Sequence, residues 1–211
     1  MVNLKAEAES ASTPSADPDA GTKTDRQRLR QRLLADRQQF ALGPEGLAAH
    51  AALAGHLIDV LEALEPECLG LYWPTRGEFN APQTLLADPR FTALLGPSQL
   101  ALPFARRTPP SLEFRRWDGR APTAVDDCGI ASAEGATVVP DVVLVPCVGH
   151  SADGFRLGYG GGYFDRWLAA HPHVTALGVG WSGGLMSAAE FVAEPHDVAL
   201  AMVVTEAGVV G

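Results

Sequence analysis

The sequence predicts an α/β fold, a largely parallel sheet flanked by helices. Three observations carry that expectation. From Glu67 onward, strand-like runs alternate with helical ones. Residues 141–147, Asp-Val-Val-Leu-Val-Pro-Cys, are almost continuously apolar and β-branched, as a strand buried on both faces requires. Residues 46–64 place Leu47, Ala51, Ala54, Leu57, Ile58, Leu61 and Leu64 at three- and four-residue steps, the spacing of a helix with one buried face.

Residues 1–23 are rich in Ala, Ser, Thr, Asp and Pro and nearly free of large apolar side chains, so they are expected to form a disordered tail ahead of a single domain over 24–211. They lack the apolar stretch of a signal peptide, and Glu7, Glu9, Asp17 and Asp19 do not suit a transit peptide. Thr24 and Gln27 have capping-box spacing and open the first helix, in which Leu29, Leu33 and Phe40 lie within about 40° of one another. Arg26, Arg30 and Arg37 fall on a neighbouring stripe. A run of cations such as Arg26, Arg28, Arg30, Arg32 and Arg37 is ordinarily a solvated face. In the second helix His50 and His56 are six apart and share no face for a metal.

Residues 68–73 read as a short strand that runs into Pro74-Thr75-Arg76-Gly77-Glu78-Phe79, a turn-rich loop. Ligands of open α/β sheets collect at strand ends, which makes Glu78 a candidate site residue beside its reading as a surface acid. Residues 81–95 predict a helix interrupted near Asp88-Pro89; 100–103 and 111–117 read as extended, and 120–137 as loop. Residues 174–181 are a second buried-strand candidate. His171 and His173 have no third ligand nearby for zinc.

Over 211 residues, 46% hydrophobic and 19% charged side chains suit one soluble domain with a sizeable core. A net charge of −9 argues against a general nucleic-acid binder. No apolar run approaches the roughly 20 residues that a bilayer span needs. Cys68, Cys128 and Cys147 are odd in number and lack CxxC spacing, which fits reduced thiols and a cytoplasmic location.

The stretch around which the chain is organised is Arg156-Leu157-Gly158-Tyr159-Gly160-Gly161-Gly162-Tyr163-Phe164-Asp165-Arg166. It follows the buried strand and leads into a helix. A glycine-rich turn opening onto a helix N-terminus suits phosphate, since bare N–H groups and the helix dipole both favour negative charge. Arg156 at its entrance and Arg166 just inside add charged donors. A plain flexible turn is the alternative for a glycine cluster taken alone.

With Val145-Pro146 and Gly154 before it, this stretch resembles the signature of the 5-formyltetrahydrofolate cyclo-ligase family, and weaker echoes extend from about Arg26 to Glu206. The resemblance implies a three-layer α/β/α fold with a mostly parallel sheet. It also implies ATP-dependent closure of 5-formyltetrahydrofolate to 5,10-methenyltetrahydrofolate. ATP contacts are then expected from Arg26, Arg30, Arg156, Leu157, Gly158, Tyr159, Gly160, Gly161, Gly162, Tyr163 and Phe164, with Arg156 and Tyr163 as the catalytic pair. Folate contacts fall to Glu78, Trp73, Phe114 and Trp117, although Phe114 and Trp117 fit a core equally well from sequence. Mg²⁺ is expected at Asp165 and Asp197. Small-molecule substrates, no nucleic acid, no membrane and a monomeric state complete the expectation.

The chain departs from the family pattern in several places. Arg26 stands where a lysine is usual, exchanging a compact ammonium for a planar fork. His150-Ser151 replaces Phe-Asp, Phe164 replaces a tyrosine, and Ile130-Ala-Ser-Ala-Glu134 lacks two prolines. No glutamine follows the strand at 174–181. These departures keep open a non-catalytic folate- or nucleotide-binding member of the family. An enzyme of sugar phosphates is a more distant alternative.

Overall fold

The computed structural model describes residues 18–96 and 99–211. Most of the expected tail, residues 1–17, lies outside the described residues. Helix α1 (Pro18–Leu42) begins ahead of the Thr24 capping box. Residues 18–23, assigned to the tail from composition, are therefore helical backbone, with a proline at the first position, where its missing N–H costs nothing.

Gly43 separates α1 from α2 (Pro44–Leu64), which ends where Glu65 turns left-handed and donates its N–H to Leu61 O. Strand β1 (Cys68–Gly70) follows, then α3 (Ala81–Leu86) and α4 (Pro89–Leu95). These two helices are the predicted interrupted helix. Asn80 and Asp88 cap them by accepting from Gln83 N–H at 3.2 Å and Arg90 N–H at 2.8 Å. β2 (Gln99–Arg107) and β3 (Pro110–Trp117) form one hairpin. Arg106 and Arg107, which lie between the two runs read as extended, thus sit in strand.

The predicted loop at 120–137 holds the short pair β4 (Ala124–Val125) and β5 (Ala131–Ser132), and ends in β6 (Thr137–Val138). β7 (Val142–Pro146) is the long apolar strand; β8 (Gly149–His150) and β9 (Arg156–Leu157) make a small hairpin. Then come α5 (Tyr163–Ala170), β10 (Thr175–Val179), a 3-10 turn (Ser182–Gly184), β11 (Met202–Thr205) and β12 (Gly208–Val210).

The main sheet has the order β12-β11-β10-β7-β1-β2-β3-β6. Its five central strands, β11, β10, β7, β1 and β2, are parallel, while β12, β3 and β6 pair antiparallel at the edges. Strand periodicity divides the core. Val142, Leu144, Leu177, Val179 and Leu102 face α2 through Leu53, Leu57, Ile58 and Leu61. Val143, Val145, Ala176 and Val203 face α5 through Trp167 and Leu168. Three layers result, as expected.

By length and composition α2 is apolar enough to cross a membrane, contrary to the expectation that no run approached that size. The reason is composition, since Ala48, Ala51, Ala52 and Ala63 take exposed positions where charges would normally stand. Its inward residues pack the sheet. α1 packs along α2 and meets the first core through Phe40. Its Leu29 and Leu33 join Val148, Leu157, Met186 and Phe191 in a third apolar cluster, which draws the arginine stripe toward the carboxyl ends of the central strands.

Candidate functional site

The glycine loop, residues 158–162, joins β9 to α5 and sits under α1. Gly160 has φ +93° and Gly162, the N-cap of α5, has φ +61°; both are backbone states that side chains disfavour. No side chain caps α5, so its first N–H groups have no side-chain partner. Arg30 donates from Nε to Gly158 O at 2.6 Å, and its Cζ lies 3.4 Å from where a Cβ on Gly160 would stand. A cation is thus laid along the loop. Burial first, then the charge of Arg26, lowers the Arg30 pKa from its ordinary value, the mark of cations gathered in one place.

Arg26 reaches away from the glycines. It donates to Asp197 Oδ2 at 2.8 Å and to Val192 O at 2.7 Å, pairs with Glu194 at 3.2 Å, and stacks over Phe191. Glu194 N–H also donates to Asp197 Oδ2, at 2.8 Å. Burial works to raise the Asp197 carboxyl, yet the hydrogen bond and charge from Arg26 prevail and hold it below the usual carboxylate range.

Arg156 does not stand at the loop entrance. Its side chain is 4% exposed; Nη2 meets Asp165 Oδ1 at 2.9 Å and Nη1 donates to Val198 O at 3.4 Å. The same Asp165 oxygen accepts from Val198 N–H at 3.4 Å. β9 belongs to a tight hairpin whose residues at this point face the interior, so the guanidinium is sealed beneath the loop and fixes Asp165. Arg166, outside, donates to Gly161 O at 2.9 Å and stacks over Tyr163. Leu157 is buried against α1. Tyr163 accepts from the Cys128 thiol at 3.6 Å, and Phe164 packs edge-on to Phe114.

Glu78 and the loop after β1 meet the glycine loop through Tyr159. The Tyr159 hydroxyl donates to Glu78 Oε1 at 2.6 Å, while Thr75 N–H donates to Oε2 at 2.7 Å. Arg37 Nη2 donates to the same hydroxyl, and Arg37 Nη1 stands 3.7 Å from Glu78 Oε1. Burial is the largest influence on Glu78 and pushes its carboxyl up; the Tyr159 bond and the Arg37 charge pull against it. Burial likewise carries Tyr159 to about 12. A recess of about 240 Å³ adjoins Arg37 on its far side, between Phe40 of α1, Trp181 and Glu206.

The expected folate aromatics are divided. Phe114 is 0% exposed and stacks edge-on to Trp167 at 4.8 Å, on the α5 side of the sheet. Strand parity puts it on that side, so it packs the core and cannot line a wall with Glu78. Trp117, on the opposite face, donates from Nε1 to Arg120 O and meets the half-buried Trp73 edge-on at 6.2 Å. Among the described residues no group of three His, Cys, Asp or Glu is arranged to hold a metal.

Arg37, placed on the arginine stripe, and Thr75 and Cys128 received no site role from sequence. For Arg37 a signal existed. It lies seven residues from Arg30, hence on the same helix edge, and is flanked by the apolar Leu33 and Phe40.

Comparison with known proteins bears on this arrangement. The profile described as the 5-formyltetrahydrofolate cyclo-ligase family matches residues 22–206. The 5-formyltetrahydrofolate cyclo-ligase of Mycoplasma pneumoniae is 34% identical over 67 residues, 31% of this chain and 39% of that protein. The enzyme of the same name from Mycolicibacterium smegmatis is 43% identical over 67 residues, 31% of this chain and 33% of its own. The matched stretch thus spans under half the length of either curated relative. Among solved structures, a 5,10-methenyltetrahydrofolate synthetase from Mycoplasma pneumoniae superposes with a TM-score of 0.66 at 23% identity, covering 86% of this chain and 99% of that one. The Aquifex aeolicus 5,10-methenyltetrahydrofolate synthetase gives 0.64 at 27% identity, covering 87% and 91%. These likenesses establish a shared fold across nearly the whole domain.

Proposed function

Since the chain belongs to the 5-formyltetrahydrofolate cyclo-ligase family, we propose that it closes 5-formyltetrahydrofolate to 5,10-methenyltetrahydrofolate with ATP, releasing ADP and phosphate. One observation carries this reading beyond membership. The glycine loop, a cation on α1 and the carboxylate of the β1 loop form one hydrogen-bonded cluster, through Arg30–Gly158 and Tyr159–Glu78.

The chemistry asks for positioning and charge neutralisation more than for a strong base. The formyl oxygen is a poor leaving group. It takes the γ-phosphoryl group as ADP departs; N10 then attacks the formyl carbon, loses its proton, and the oxygen leaves as phosphate. In this reading the N–H groups at the start of α5 and the Arg30 guanidinium cradle the phosphates. Glu78 accepts hydrogen bonds from the pterin's amino and ring N–H groups. Tyr163, at the helix entrance, faces the reacting group. Arg156 acts from beneath, by holding Asp165.

Asp165 and Asp197 fit a magnesium ion bound mainly through phosphate and water. Asp165 receives both its bonds on Oδ1 and Asp197 those from Arg26 and Glu194 N–H on Oδ2, so each keeps a second oxygen, that of Asp197 with His196 Nε2 3.9 Å away. The ion would supply further neutralisation of phosphate charge. A monomeric state is part of the same proposal, and three free cysteines support a cytoplasmic setting.

The test is incubation of purified protein with 5-formyltetrahydrofolate, ATP and Mg²⁺. Growth of methenyltetrahydrofolate absorbance is expected, and its absence under saturating substrates rejects the activity. A second reading, a binding member without turnover, draws on Arg26 and Arg156 being tied to carboxylates. It predicts nucleotide binding with no absorbance change.

A further inference from the structure

We propose that Arg37, Tyr159 and Glu78 form a latch coupling nucleotide binding to folate binding, with Arg37 as a positioning residue. The inference rests on the functional reading above and adds to it how the two substrates communicate.

Three segments far apart in sequence converge on one oxygen. The Tyr159 hydroxyl accepts from Arg37 Nη2 of α1, donates to Glu78 Oε1 at 2.6 Å and lies 3.3 Å from Thr75 Oγ1. Arg37 and Glu78 have side chains only 4% exposed, so neither is an ordinary surface charge. Arg37 spends its other donors on backbone, giving Nε to Arg76 O at 3.1 Å and Nη1 to Cys147 O at 3.4 Å. It thereby pins the turn before Glu78 and the segment after β7 to α1. Arg37 and Arg76 also lie over the Tyr159 ring, at 5.5 and 5.7 Å.

Tyr159 itself stands between Gly158, whose carbonyl Arg30 holds, and Gly160, whose open backbone faces the same guanidinium. Tyr159 as a residue is 40% exposed, while its hydroxyl is tied to Arg37 and Glu78. A nucleotide that settles the glycine loop therefore settles the hydroxyl, and with it the carboxylate that receives the pterin. Folate on Glu78 must in turn favour the loop position that nucleotide prefers, because coupling between two sites is reciprocal.

The groups facing Glu78 are Arg37 from α1, Tyr159 from the glycine loop, Tyr72 from the end of β1 and Cys147 after β7. Arg37 is the cation among them, and it opposes the upward push of burial. Its removal must shift the protonation of Glu78 to higher pH.

Calorimetric titration of 5-formyltetrahydrofolate, with and without a non-hydrolysable ATP analogue and Mg²⁺, tests the latch. Wild-type protein is expected to bind folate ~5-fold or more tightly when the analogue is present. In Tyr159→Phe that ratio is expected to fall close to one. In Arg37→Met it is expected to fall likewise, and the acid limb of folate affinity to move to higher pH. Arg37→Lys is expected to restore the limb more than the ratio, since a single ammonium cannot reach all three partners. A wild-type ratio of one, or a Tyr159→Phe ratio equal to wild type, overturns the proposal. If Arg37→Met fails to fold, Tyr159→Phe decides alone. Wild-type protein that binds neither substrate overturns the functional reading, and the latch with it.

Discussion

Arg26 and Asp197, 171 positions apart, meet at 2.8 Å and tie α1 to the loop before β11. The pair is partly buried, with side chains 15% and 9% exposed. Asp197 is held below the usual carboxylate range, so its contribution is present above its unfolded pKa and lost as pH falls through the folded value. Arg26→Ala leaves a half-buried carboxylate without its cation. A loss of about 1–3 kcal/mol is expected by urea denaturation at pH 7, shrinking toward pH 3. A loss independent of pH contradicts the pairing.

Glu78 works in the opposite sense. Burial raises its carboxyl, so the folded state holds the proton more tightly, and this group's contribution to stability declines as pH rises from the unfolded toward the folded pKa. Glu78→Gln removes the ionisation. The difference in Tm, variant minus wild type, is expected to grow as pH rises above the ordinary glutamate range, while folate KM increases and ATP affinity in the absence of folate changes little. A flat Tm difference refutes the buried ionised carboxylate.

Gly160 holds φ +93° beside the Arg30 guanidinium. Gly160→Ala adds a methyl 3.4 Å from Arg30 Cζ and forces a disfavoured backbone state. Nucleotide affinity is expected to drop by about 1–3 kcal/mol, with the far-ultraviolet spectrum unchanged. Wild-type affinity in this variant removes the loop from the phosphate cradle.

Phe114 distinguishes core from binding wall. Phe114→Leu is expected to cost roughly 1–3 kcal/mol of stability with folate KM unmoved. A tenfold rise in folate KM at unchanged Tm reverses that assignment.

The layered fold was legible because β7 is a continuous apolar run and Ala54, Leu57, Ile58 and Leu61 of α2 do face the sheet, although Leu47, Ala51 and Leu64, read as the same stripe, lie exposed. The start of α1 was not, since residues 18–23 lack apolar periodicity and carry Pro18 and Gly21, which read as breakers. The glycine loop was legible from composition, as bare backbone leaves a mark in sequence. Side-chain direction leaves none. Arg156 reads like an entrance cation yet lies sealed against Asp165, and Phe114 reads like a stacking ring yet falls on the far face of the sheet. Both depend on strand parity, which a short strand does not declare. Arg37 was hidden for a related reason, that a buried arginine and a solvated one look alike until their partners are brought near.

The central claim is that the loop at 158–162 presents the terminal phosphate of ATP to a folate held by Glu78. A crystal structure with a non-hydrolysable ATP analogue and 5-formyltetrahydrofolate tests it most directly. The γ-phosphate is expected against the N–H groups at the start of α5, within reach of Arg30, with the formyl oxygen facing it. A γ-phosphate bound away from that loop, or a pterin that does not touch Glu78, contradicts the account.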